Sequence, residues 1–208
     1  VRHWVARHPH EIEPTLNAIE QVRFDGLTTV ALFSYELGEL LQGLQPRASQ
    51  VPLIEAFAFD RHERLSAQEV DEWISAKLTE LQANDKPIGI LGIESTISNT
   101  QYTSDIAAIQ ELIARGETYQ VNHTFRLKGR LLGEPLALYR SLRERQPVHY
   151  GAYIDTGERI VLSFSPELFL ECSDGLITAK PMKGTRKASH GSARELAHNS
   201  KDRAENLM

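Results

Sequence analysis

Cysteine, methionine and tryptophan are all scarce: one, two and two in 208 residues. A lone Cys172 excludes any intrachain disulfide and any cysteine-built zinc cluster. Charge of one sign is scarce too. Twenty-eight acidic against 23 basic residues leave a formal charge of −5, so no broad surface for nucleic acid or anionic lipid is expected. Long hydrophobic runs are missing. The most apolar stretches, Leu27–Tyr35 and Ile88–Ile93, fall far short of the roughly 18 residues that a membrane span requires, and no signal-peptide pattern opens the sequence. What is present is ordinary for a folded chain, with 41% hydrophobic and 25% charged residues, too apolar for disorder. The expectation is a cytoplasmic globular protein, or part of one, without a nucleic-acid or membrane partner. Residue 1 is Val, and the sequence stops at Leu207-Met208 inside a helical pattern with no Gly, Asn or Pro stop signal. Both features predict truncation.

Along the chain, Glu13-Pro14 opens a helical pattern through Leu16, Ile19 and Val22 to Gly26. Thr28–Tyr35 and Leu53–Phe59 read as strands. Ser66-Ala-Gln-Glu69 is a capping box before a helix with Val70, Trp73, Ile74, Leu78 and Leu81 on one face. Ile88–Ile97 is β-like, Thr103 or Ser104 starts a helix running to Gly116, and Tyr119–Leu127 alternates like a long strand. A Gly-punctuated turn region and a helix from Pro135 to about Arg145 follow. His149–Ile154, Arg159–Ser165, Leu168–Cys172 and Leu176–Ala179 are short strand patterns, with Thr156-Gly157 and Asp174-Gly175 as hairpin turns between them. Cys172 is expected as a small core residue in its strand. A last helix opens at Ser192 with a stripe of Ala193, Leu196, Ala197, Ala204, Leu207 and Met208. Consecutive hairpins imply antiparallel pairing, so the predicted class is α+β rather than a doubly wound parallel sheet.

Three places could carry chemistry. Lys180-Pro-Met-Lys-Gly-Thr-Arg-Lys187 holds four cations in eight residues. Gly184 would let a ligand approach, Thr185 offers a hydroxyl, and crowded cations would favour a neutral lysine able to act as a nucleophile. Composition alone favours a solvated basic loop. Glu167, in Ser165-Pro-Glu-Leu-Phe169, precedes an apolar strand, and partial desolvation would suit it to proton transfer; an exposed edge glutamate is the plainer reading. Asp202 and Glu205 are three apart on the last helix and share a face. Such a pair suits a hard ion such as Mg²⁺ with the substrate's anionic groups completing its shell, against the common alternative of a solvated surface. Gln120 and Asn122 alternate about Val121 and so point to one side.

Together these segments resemble the chorismate-utilising enzymes. The likeness rests on Gly116-Glu-Thr-Tyr-Gln-Val-Asn-His-Thr-Phe-Arg126, Ser163-Phe-Ser-Pro-Glu-Leu-Phe169, Lys180-Pro-Met-Lys-Gly-Thr185 and Ser200-Lys-Asp-Arg-Ala-Glu-Asn-Leu-Met208, with a weaker echo at Phe33-Ser-Tyr-Glu-Leu37. Four motifs in order outweigh the bland reading of each. The resemblance implies an α+β fold of two facing antiparallel β-sheets with helices packed outside, incomplete in this chain. Residues 1–208 would be the N-terminal and central part of a chorismate-binding catalytic domain. It implies amination of chorismate with Mg²⁺ and ammonia from a glutamine amidotransferase, and leaves room for a fused or separate aminodeoxychorismate lyase. Lys183 before Gly184-Thr185 favours the branch that makes 4-amino-4-deoxychorismate for p-aminobenzoate and folate, since the 2-aminating branch has Ala there. By the same resemblance Lys183 is the nucleophile and Glu167 the acid/base group. Gly184, Thr185 and Gln120 lie against substrate, Glu205 binds magnesium, and Asp202 assists. Gln120 replaces the lysine base of water-adding relatives, which disfavours their chemistry. Two alternatives stand beside this reading: anthranilate-type 2-amination, and a non-catalytic binding or regulatory module.

Overall fold

The computed structural model describes residues 1–182, 187, 189 and 192–207. The chain divides into two compact units, residues 1–68 and 69–208.

In the first unit, β1 (Arg2–Ala6) and β2 (Thr28–Phe33) flank β3 (Ile54–Phe59), both antiparallel to it. Trp4 faces Ala56 and Ala31 faces Ala56 from the other side, which fixes the register. Helix α1 (Ile12–Phe24) lies on this sheet. The core joins Ala6, Leu37, Leu53 and Ile54, with Ile12, Ile19 and Leu40 packed around it. The run Thr28–Tyr35, expected as one strand, ends early, at Phe33. Ser34 turns the chain and its hydroxyl accepts from the Leu37 N–H at 3.3 Å. A helix unforeseen from the sequence, α2 (Tyr35–Leu41), starts there, because an N-cap serine satisfies a backbone donor that the first turn leaves free.

The second unit begins with α3 (Ala67–Glu80), whose Ile74 and Leu78 are fully buried. They pack with Ala83, Leu136 and Ala137, the last two from α5 (Pro135–Arg145), and with Tyr139 and Tyr153 at the edge. Burying Leu78 contributes about 2 kcal/mol. Burial, then the carboxylates of Asp155 and Glu134, raise the Tyr153 phenol above its usual range. Strand β4 (Gly89–Ser95) pairs antiparallel with β5 (Leu127–Leu132) through a bulge between Leu91 and Glu94, and α4 (Asn99–Ala114) connects them. Helix α4 begins earlier than its apolar periodicity suggests. The Ser98 hydroxyl accepts from Gln101 N–H at 3.1 Å, so a polar first turn is capped before the first isoleucine.

Two hairpins follow as expected, β6 (Tyr150–Asp155) with β7 (Ile160–Ser165) and β8 (Leu168–Ser173) with β9 (Leu176–Lys180). Asp174 and Gly175 both take positive φ, 52° and 77°, which is what a tight two-residue hairpin turn requires. All described pairing is antiparallel, in one three-stranded and three two-stranded ladders.

Three expectations are corrected. Of the strand expected over Tyr119–Leu127, residues 119–126 are irregular and in no ladder, since β4 takes Leu127–Leu132 as its partner. Alternation sets which way side chains point, and a strand needs a neighbour as well. Cys172 is exposed rather than in a core, on a hairpin whose facing residue, Ile177, is exposed too. The last helix is two, α6 (Ser192–His198) and α7 (Ser200–Leu207), separated at Asn199. The Asn199 side chain accepts from the Asp202 N–H at 3.1 Å, so the break is an N-cap that restarts the helix. Leu207, at the end of the apolar stripe, is exposed, which agrees with the expected pattern.

Candidate active site

A polar pocket of about 200 Å³ is walled by Tyr119, Gln120, Asn122 and Glu205. It joins the irregular segment after α4 to α7, two regions picked out separately by sequence. Gln120 and Asn122 fall on one side of that segment, as the alternation predicts, and Gln120 Nε2 donates to Asn122 Oδ1 at 3.4 Å. A further bond holds the backbone bend, Thr118 Oγ1 to the Gln120 carbonyl at 3.0 Å.

Glu205 enters from α7 with its side chain only 15% exposed. Its Oε1 lies 3.6 Å from Lys201 Nζ one turn earlier, an i,i+4 pair in which the lysine itself is solvated. The restart of the helix at Asn199 sets this geometry, because it fixes the phase that carries Glu205 inward. Asp202 is half-buried on the same helix but forms no wall of the pocket. The expected carboxylate pair is therefore one carboxylate in the pocket and one beside it.

Glu167 sits between β7 and β8 and is half-buried. Ser165 braces it twice: its hydroxyl donates to the Glu167 carbonyl at 2.9 Å and accepts from the Glu167 N–H at 3.4 Å. This small closed turn, with Pro166 at its tip, fixes the backbone from which the carboxylate projects. The remaining expected residues, Lys183, Gly184 and Thr185, lie outside the described residues. The chain before them is described through β9, where Lys180 pairs with Leu168 of β8 in the ladder.

Does the pocket suit a hard cation? Its donors are oxygens: a half-sequestered carboxylate and two side-chain amides, with Tyr119 beside them. Mg²⁺ is commonly held by one or two carboxylates plus substrate oxygens and water, so Glu205 fits that role. Among the described residues no three His, Cys, Asp or Glu side chains cluster, which rules out a cage of that kind there. Tyr119 and Asn122 are wall residues that the sequence reading did not place in the site. Asn122 had a readable signal in its alternation with Gln120; Tyr119 had none.

The family described as chorismate binding enzyme matches residues 5–208, and the chain belongs to it. An aminodeoxychorismate synthase of Streptomyces pristinaespiralis is 38% identical over 60% of this chain and 18% of its own length. Aminodeoxychorismate synthase component 1 of Escherichia coli is 28% identical over 95% of this chain and 48% of its own length. The fold is similar to that of anthranilate synthase component I from Streptococcus pneumoniae, with a TM-score of 0.69 at 19% identity over 88% of this chain and 48% of that one. The chain thus spans less than half the length of each of these relatives. No described helix is long and apolar enough to cross a membrane.

Proposed function

We propose that this chain carries part of the site of an enzyme that aminates chorismate to 4-amino-4-deoxychorismate, the branch leading to p-aminobenzoate and folate. Ammonia would come from a glutamine amidotransferase subunit or domain, and a fused or separate lyase would act on the product. The observation that carries the reading is the meeting of Gln120 and Glu205 in one oxygen-rich pocket, since both belong to motifs that the family resemblance assigns to the site. Relatives named aminodeoxychorismate synthase support the branch, and Lys183 is the residue that selects it.

In this reading the Lys183 amine, as the free base, forms a C–N bond to the substrate ring while the C4–O bond breaks. Glu167 gives its proton to the departing hydroxyl, which leaves as water, and regains one from the new ammonium. Ammonia then bonds to C4 as the bond to the lysine nitrogen breaks; that nitrogen takes the electron pair and a proton from Glu167, the new C4 ammonium returns a proton to the carboxylate, and the lysine is unchanged over the cycle. Gly184 and Thr185 would lie against the substrate, and Gln120 would orient it. Mg²⁺, held by Glu205 with Asp202 nearby, would supply positive charge that offsets the substrate carboxylates.

The test uses the whole protein with chorismate, Mg²⁺ and ammonium, and identifies the product by chromatography and mass spectrometry. Lys183→Ala should lower 4-amination by about a hundredfold or more, the scale of a lost covalent or acid–base group. An unchanged rate across a range of ammonia concentrations would remove Lys183 as nucleophile. Anthranilate and pyruvate as products would move the assignment to 2-amination.

A further inference from the structure

The irregular segment that brings Gln120 and Asn122 to the pocket is in no ladder. Between Tyr119 and Arg126 every residue is exposed except His123. That ring is not among the pocket walls and packs against α4. Its Nε2 is buried and lies 3.5 Å from Asp105 Oδ2, within ion-pair range but without hydrogen-bond geometry. The other oxygen of that carboxylate accepts from Gln101 Nε2 at 2.7 Å, which holds the carboxylate in place. Tyr102, one turn before Asp105 on the same helix face, packs its ring 5.6 Å from the His123 ring and 5.9 Å from that of Phe125. Downstream the segment is tied by Phe125 and again at Arg126, whose backbone exchanges bonds with Thr96: Thr96 N–H to the Arg126 carbonyl at 2.9 Å, and Arg126 N–H to Thr96 Oγ1 at 3.1 Å.

We propose that His123 is a positioning residue, a latch onto Asp105 and Tyr102 of α4 that holds Gln120 and Asn122 at the Glu205 pocket. A segment without ladder bonds keeps one conformation only where side chains fix it. His123 is the inward anchor nearest the two pocket amides, since Asn122 precedes it directly and Gln120 lies three residues before. The consequence for catalysis rests on the amination reading above; the latch itself does not.

The experiment therefore has two readouts on the whole protein. Hydrogen exchange follows the amides of residues 120–125. Steady-state kinetics with chorismate separates KM from kcat. His123→Leu keeps bulk and removes the contact with Asp105, whereas His123→Gln keeps a donor there, and Asp105→Asn removes the charge with little change of shape. His123→Leu and Asp105→Asn should each speed exchange in the segment about five- to tenfold and should not add in the double variant, as coupled neighbours do not. His123→Gln should restore most of the protection. KM for chorismate should rise with His123→Leu by a similar factor, about five- to tenfold, with kcat changed much less. Unchanged exchange in both single variants, or full additivity in the double, overturns the latch. If the parent protein turns over no chorismate, the functional reading falls while hydrogen exchange still decides the latch. Asp105→Asn is nearly isosteric on an already formed helix, so an unchanged melting temperature for that variant separates local loosening from misfolding.

Discussion

At the scale of single residues, electrostatics is decided by which backbone groups a side chain meets. Glu11 Oε2 accepts from the Arg7 N–H at 2.7 Å and the His8 N–H at 2.9 Å. These bonds, Arg7 first, hold its carboxyl below the usual range although the side chain is in solvent. A depressed carboxyl stabilises the folded chain above its unfolded value, and that contribution disappears as the pH falls through the folded value. Protection of the Arg7 and His8 amides, taken relative to their intrinsic exchange rates at each pH, should accordingly fall in acid, and Glu11→Gln should weaken it at neutral pH. An NMR titration of Glu11 with its midpoint at or above the peptide value of about 4.3 would contradict this. The site residues show the same dependence on context. Gln120 and Asn122 were readable because period-2 alternation survives even where no ladder forms, and the structure seats both in one pocket. Cys172 was misread because a small apolar residue in a strand marks one face of that strand. It does not say whether anything covers that face.

At the scale of elements, ends were harder to read than bodies. Apolar periodicity located α3, whose Ile74 and Leu78 fill a core, yet it missed the polar first turn of α4, the whole of α2 and the break at Asn199. Each of those was decided by one side-chain oxygen accepting from a backbone N–H, a signal as short as a single residue. The junction of β5 and α5 is similarly local. Gly133 has φ of +86°, and a Cβ there would stand 2.5 Å from the Pro87 carbonyl oxygen and 3.0 Å from Ile88 Cγ2. A backbone oxygen cannot swing aside as a long side chain can. Gly133→Ala should therefore destabilise by about 2 kcal/mol or more, combining left-handed strain with a backbone clash. Ala at Gly26, which has φ of +74° but open space around it, should cost only the strain, about 1 kcal/mol. Urea denaturation of the two variants checks the order, and equal losses would show that the contact with Pro87 adds nothing.

At the scale of the whole molecule, class was legible and division was not. Hairpin turns at Thr156-Gly157 and Asp174-Gly175 were enough to predict antiparallel pairing, because connections this short, four residues and two, allow no other. The boundary near residue 68 falls where a capping-box pattern begins α3, and a helix start carries no mark that separates an internal element from a new unit. Exposure is where sequence pattern and structure part most. The β8–β9 hairpin presents Phe169 at 85% and Leu176 at 69% exposure, with Leu170 and Ile177 also open. Neighbouring residues of a strand point to opposite faces, so both faces of this hairpin are apolar. Ribbons of that composition normally lie between layers, and the solved relative matched here has about half its length outside the match. The 208-residue chain prepared by itself should therefore bind a hydrophobic dye and self-associate as its concentration rises. Phe169→Ser with Leu176→Lys should reduce both effects while leaving the melting temperature nearly unchanged, because neither side chain is packed in the described core. Dye fluorescence no greater than that of an ordinary folded monomer, or a large drop in melting temperature for the double variant, would mean that these side chains are covered in solution.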